Sequence, residues 1–222
     1  MPFINSIYFL EEASEFECLN SLPMNEILYV ILDNFASHEI VFLSQPINSD
    51  ATSMKSNPKY VNKIVSYTLN PVQAIDGFRI LPDYTFDNVP DQYSALILIG
   101  GFSWETKIAE KVVPLVQHAI EKQILVGAIC NAAAFLVKLG FLNNVKHTAN
   151  SLEQLIAWGS EKYTNEAGFL PQDAVSDHNI VTANGTAYLE FAREILLLLK
   201  NDTEENIEMY YQFFKKGALA FQ

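Results

Sequence analysis

Cysteine is scarce: Cys18 and Cys130 are the two in 222 residues. A disulfide framework is thereby excluded, and a reducing, cytoplasmic compartment is the expectation. Cations are few as well, with 14 Lys and Arg against 26 Asp and Glu and a net charge of −12. A surface this acidic repels phosphate backbones and anionic lipid, so neither nucleic acid nor a membrane is an expected partner. No apolar run approaches the ~18 residues that span a bilayer. The apolar start Met1–Leu10 has no basic flank and is followed by Glu11, Glu12, Glu15 and Glu17, unlike a secretory signal. Cys-x-x-Cys, His-Glu-x-x-His and histidine clusters are missing, so no metal is expected. GxxxxGK[ST] and GxGxxG are missing too, and no cofactor is implied.

What remains is a globular composition, half apolar and 18% charged. Residues 1–24 are acidic and irregularly patterned and read as an extension. From residue 25 the chain alternates. Ile27–Leu32 is a short apolar run of the kind that forms a buried parallel strand. The loop Asp33–Ser37 leads to a helix beginning near His38 and Glu39. Residues 48–62 read as a loop, Lys63–Leu69 as a strand, and Val72–Leu81 as one or two short strands. Ala95–Ile99 is a further buried strand, stopped by Gly100 and Gly101. A helix over 105–122 is kinked or split by Pro114. Ile124–Ile129 is the next strand and runs into Cys130 and the helical Asn131–Lys138. Ser151–Gln154 is a capping box. Ala174–Ser176 and Asn179–Ala183 suggest a hairpin, and Thr186 starts a helix to Lys200. Strands and helices alternating in this way imply an α/β layered domain with a mostly parallel sheet, whose site lies at the carboxyl ends of the strands.

Three segments reach those ends with chemistry to offer. Cys130 sits at a strand-to-helix junction with Gly127, Ala128 and Ala132 as small neighbours, the pattern of a nucleophile elbow. A helix starting behind it would lower the thiol's pKa. The competing reading is a buried structural cysteine. Gly100 and Gly101 end the adjacent strand, where freed backbone N–H groups can face a developing oxyanion, with the N–H of Asn131 as second donor. Glu39, in the first turn of its helix, can reach across the strand ends and share a proton with the thiolate; the plainer reading is a carboxylate favoured by the helix dipole. Asp33 is either a loop cap or a second acid. His147 is a candidate base or acid on a short strand facing the site. His118, His38 and His178 read as surface, rim and turn residues. Trp104 either walls a pocket or packs in the core.

In this order the segments resemble the ThiJ/PfpI superfamily, within the class I glutamine amidotransferase-like fold. The resemblance is carried by Ala36–Glu39, Leu96–Gly101, Leu125–Cys130, Leu139–Leu142, Val145–Thr148 and Val181–Glu190, and covers 25–200. It implies a flavodoxin-like three-layer sandwich with a cysteine at the elbow and an acid hydrogen-bonded to it, at Glu39. It also implies a Gly-Gly donor pair at Gly100 and Gly101 and a histidine near the thiol at His147. Two departures stand out. Asn131 occupies the place after the cysteine where many members carry histidine, which weakens a peptidase reading. Ala183–Tyr188 has no histidine where amidotransferases complete their triad.

Residues 201–222 add an amphipathic helix, capped by Thr203, with Ile207, Tyr210, Tyr211 and Phe214 on one face. That face must be buried on the body or on a second subunit, and the resemblance implies a homodimer. The functional expectation is a cofactor-independent cysteine enzyme acting on a small carbonyl or amide-type metabolite, as a hydrolase or glyoxalase-like lyase. The alternatives are a non-catalytic stress or redox sensor that oxidises Cys130, and an amidotransferase-like protein without the full triad.

Overall fold

A computed structural model of the chain describes residues 25–49 and 54–221; the extension over 1–24, with Cys18, lies outside them. Five strands build the centre: β1 (Glu26–Val30), β2 (Val61–Ser66), β6 (Ala95–Leu98), β7 (Leu125–Ile129) and β9 (Ile180–Ala183). With β5 (Tyr84–Thr85) and β8 (Ala174–Asp177) they form a seven-stranded sheet in the order β5-β2-β1-β6-β7-β9-β8. All pairings are parallel except β8 with β9. Ala95 pairs with both Ile27 and Leu125, so these strands run in close register.

β6 and β7 are apolar throughout and fully buried because both faces of the sheet centre are covered. Ile27, Tyr29 and Ile97 point into one core, where α1 (His38–Asn48) and α6 (Tyr188–Leu199) pack with Leu43, Phe191 and Ile195. Leu28, Val30 and Leu96 point into the other, against α2 (Lys107–Glu110), α3 (Val113–Glu121) and α4 (Asn131–Lys138). Gly127 is small for a packing reason: a Cβ there would lie 2.9 Å from Ile195 Cδ1. The remaining helices are α5 (Leu152–Gly159), opened by Ser151, whose side chain accepts from the Gln154 N–H, and α7 (Glu204–Lys216).

Several boundaries differ from the expectations for local reasons. The helical stretch over 105–122 splits into α2 and α3, and Pro114 falls in the first turn of α3, where its missing N–H costs no helical bond. The segment 72–81 becomes a small antiparallel pair, β3 (Val72–Gln73) and β4 (Arg79–Ile80), separate from the main sheet. Thr186 does not start α6. Its N–H and hydroxyl are both captured by Asn184 Oδ1, which holds 184–187 as a loop and delays the helix to Tyr188.

α7 lies on its own subunit. Ile207 is buried, Glu208 accepts from Arg193 Nε at 2.6 Å, Tyr211 Oη donates to Glu190 at 2.7 Å, and Tyr210 Oη donates to the Phe42 carbonyl at 3.2 Å. Thr203 caps the helix by accepting from the Asn206 N–H.

Candidate active site

β1, β6, β7 and β9 all deliver their carboxyl ends to one edge, and each contributes a different part. β7 ends in Cys130, whose backbone has φ 59° and ψ −130°. This is a region that a residue with a side chain seldom adopts, and it costs about 1–3 kcal/mol unless its surroundings hold it. They do so on both sides: the Cys130 N–H donates to Ala183 at 3.0 Å, and the Cys130 carbonyl accepts from the Ala133 N–H at 3.1 Å. The turn lifts the thiol off the strand at the start of α4.

Glu39 enters from α1. The side chain is 2% exposed. Its Oε2 accepts the Gly100 N–H at 2.6 Å. A Cβ on Gly100 would sit 2.6 Å from Cys130 Cβ, 2.7 Å from Glu39 Oε2 and 2.9 Å from Oε1. The carboxyl and the cysteine side chain therefore converge on one point that only a glycine leaves open. Gly101 is equally constrained, since a Cβ there would lie 2.4 Å from the Asn34 carbonyl oxygen.

Burial pushes the Glu39 carboxyl up to about 8, against the opposing pull of the Gly100 N–H. At neutral pH it is mostly protonated. The thiol is likewise raised, chiefly by burial. The Asn150 side chain and the N–H groups of Asn131 and Gly101 pull it down, and an ionised Glu39 pushes it up. The expectation of a lowered thiol pKa is thus corrected: desolvation outweighs the donors at the start of α4.

The two N–H groups expected as oxyanion donors, those of Gly101 and Asn131, both favour the ionised thiol, while the hydrogen bond made to the Cys130 sulfur comes from Asn150 Nδ2 at 3.4 Å. The Asn131 side chain turns away, with Nδ2 donating to the Gly101 carbonyl at 2.9 Å and Oδ1 accepting from Gln154 Nε2 at 2.7 Å.

Other expected residues lie elsewhere. His147 is fully buried: one ring nitrogen meets the Val145 carbonyl at 2.8 Å and the other the Tyr163 hydroxyl at 2.7 Å. With Nδ1–H donating to the carbonyl and Nε2 accepting from the tyrosine, neither nitrogen is free for the thiol. Burial also lowers its pKa and favours the neutral ring. Trp104 is 1% exposed, donates to the Ile99 carbonyl at 2.8 Å and packs on Phe135, so its ring belongs to the core. The exposed ring of that loop is Phe102, at 72%. Asp33 accepts from the Tyr67 hydroxyl at 2.5 Å, and its carbonyl accepts from Ser103 Oγ at 2.6 Å, which fits the loop-capping reading.

Sequence reading missed Asn150 and Gly185. Asn150 Nδ2 lies 3.4 Å from Cys130 Sγ, and its Oδ1 accepts the Gly185 N–H at 2.9 Å. A Cβ on Gly185 would sit 2.9 Å from the sulfur. The only signal in the chain was that Asn150 lies three residues after His147, at the point where the loop turns into α5.

No group of three or more His, Cys, Asp or Glu residues able to hold a metal is found among the described residues. None of their helices is long and apolar enough to cross a membrane.

A parallel flavodoxin-like sandwich with a strained cysteine at the end of a central strand defines the class. The chain belongs to the DJ-1/PfpI family, which it matches over residues 25–198. It is 37% identical over 200 residues to the Bacillus subtilis (strain 168) protein named Uncharacterized protease YdeA, covering 89% of this chain and 95% of that one. It is 27% identical over 142 residues to the Glutathione-independent glyoxalase DJR-1.2 of Caenorhabditis elegans, covering 61% of this chain and 72% of the relative. Among solved structures, the DJ-1 superfamily protein Atu0886 from Agrobacterium tumefaciens superposes with a TM-score of 0.76 at 31% identity, covering 90% of this chain and all of that one.

Proposed function

We propose that the protein is a cofactor-independent cysteine enzyme that acts on a small carbonyl or amide-type metabolite in the cytoplasm, as a homodimer. The observation that carries this reading is the convergence of Cys130 and the protonatable Glu39 on Gly100. A carboxyl poised to about 8 is matched to proton transfer near neutral pH. A glutamate held there for stability alone would gain nothing from such burial.

In the reaction, the Cys130 sulfur adds its electron pair to the carbonyl carbon, and the carbonyl π pair moves to oxygen. The fraction of Glu39 that is ionised near neutral pH takes the thiol proton and returns it to the new oxygen, giving a neutral thiohemiacetal. The N–H groups of Gly101 and Asn131 supply donors for the oxyanion. The crowding of the sulfur by Gly185 and Asn150 favours a small substrate. With His147 fully bonded elsewhere, Glu39 is the group left to move the proton. Addition of a thiol to a carbonyl carbon is a first step open to the relatives named as a protease and as a glyoxalase alike.

The test is turnover. Methylglyoxal and a panel of amides are incubated with the protein, products are followed by NMR, and Cys130→Ala serves as control. Product formation that disappears in the variant supports the enzyme; none in either protein removes it. A second reading, a stress or redox sensor, is favoured by the Asn150 side-chain donor 3.4 Å from the sulfur, which could hold an oxygen of a sulfinate. Mass spectrometry after mild peroxide treatment would detect it as a stable gain of two oxygens at Cys130.

A further inference from the structure

We propose that Asn150 is the positioning residue for Cys130: its side-chain amide orients the sulfur and donates to it when it ionises. The inference rests on the cysteine-enzyme reading above. It starts from the sense of the amide, which backbone groups of fixed role decide. Asn150 Oδ1 takes the Gly185 N–H at 2.9 Å, and a backbone N–H can only donate, so Nδ2 must be the atom that faces Cys130. The neighbouring amide is fixed in the same way. Asn131 Nδ2 donates to the Gly101 carbonyl at 2.9 Å, which leaves Oδ1 for Gln154 Nε2 at 2.7 Å and for Asn150 Nδ2 at 3.4 Å. Gln154, Asn131 and Asn150 thus form a chain of defined polarity between the Gly101 carbonyl, the Gly185 N–H and the sulfur.

The link to the sulfur is the loose one. Nδ2 is 3.4 Å from both Sγ and Asn131 Oδ1, while the other end of the amide is held at 2.9 Å. A donor fixed on one side and weakly engaged on the other has capacity to spare, and its bond tightens as the acceptor gains charge. Gly185 completes the arrangement. It lends its N–H to Asn150 and, having no Cβ, leaves room for the sulfur. Asn150 itself is exposed, so replacing it removes no buried packing. An amide does not titrate near neutral pH, so this donor has the same strength wherever Glu39 stands in its own titration.

The experiment measures thiolate formation at Cys130 by ultraviolet absorbance against pH, in a Cys18→Ser background. The variants are Asn150→Ala and Asn150→Asp. Asn150→Asp keeps an acceptor for the Gly185 N–H but offers no donor to the sulfur. Asn150→Ala should move the midpoint up by ~1 pH unit, the size expected for one lost bond to a charged acceptor. Asn150→Asp should move it at least as far, and both should melt within a few degrees of the parent. A purely structural role would shift melting and leave the titration alone. Midpoints that coincide with the parent's in both variants overturn the proposal. If the parent turns over none of the substrates tested above, the enzyme reading falls, yet the titration still decides the role of Asn150.

Discussion

The Glu39 carboxyl is tied to the backbone of Gly100 by a 2.6 Å bond, which points it toward the cysteine at the end of the next strand, although no Glu39–Cys130 hydrogen bond is found among the described residues. α1 and β7 are far apart in sequence, and Gly100 is the residue whose missing side chain lets them meet. The chemistry of the site follows from this contact and is open to direct tests.

Gly100→Ala should be inactive. The added methyl would sit 2.6 Å from Cys130 Cβ and within 3 Å of both Glu39 oxygens, so at least one of them must move. Overpacking of this kind costs ~1–3 kcal/mol. Chemical denaturation should show that loss together with abolished turnover. A variant that keeps full activity would show that the convergence is not needed.

Glu39 gives a pH dependence of defined sign. Its folded pKa of about 8 lies above the ordinary value of 4.5, so the folded state binds the proton more tightly than the unfolded one. The stability contributed is present below 4.5 and is lost as pH rises from there to about 8. Glu39→Gln keeps an acceptor for the Gly100 N–H and cannot ionise. The melting temperature of the wild type relative to this variant should therefore fall from pH 5 to about pH 8 and then level off. Parallel curves would contradict the buried, raised carboxyl.

Alkylation of Cys130 should follow the same electrostatics. Burial raises the thiol above its ordinary value, so iodoacetamide should react slowly at pH 7 and faster through pH 9 and beyond. Complete reaction with a midpoint well below 8 would mean that the donors at the start of α4 prevail over desolvation.

His147 should prove structural. His147→Ala removes one buried hydrogen bond to the Val145 carbonyl and leaves the Tyr163 hydroxyl without its partner, at a cost of about 2–4 kcal/mol. The expected result is a lowered melting temperature with an unchanged Cys130 titration. A shifted titration at unchanged stability would return His147 to the site.

Truncation after Lys200 should lower stability, because Ile207, Glu208, Tyr210 and Tyr211 bind the parent body. In light scattering we expect the full chain at twice its 25.0 kDa mass and the truncated chain still dimeric. A truncated monomer would place α7 at the interface after all.

The sequence by itself determined the layers and the elbow. Apolar runs such as Ile27–Leu32, Ala95–Ile99 and Ile124–Ile129 can be satisfied only by a sheet covered on both faces, and Cys130 directly after the last of them can only lie at a strand end. These are local properties: periodicity, run length and small neighbours are written in adjacent residues. What the tertiary structure alone decided is which side chains surround the sulfur. His147 and Asn150 are three residues apart on one loop, and nothing in their spacing says that one turns into a core with Tyr163 while the other meets the thiol. The Asn184–Ala187 loop, where the sequence suggests a helix start at Thr186, stays unwound because Asn184 captures Thr186, and so brings Gly185 over the sulfur. The protonation of the site belongs to the same category. A thiol and a carboxyl are ordinary acids in the chain, and they become raised ones only where packing removes their water, which no stretch of sequence records.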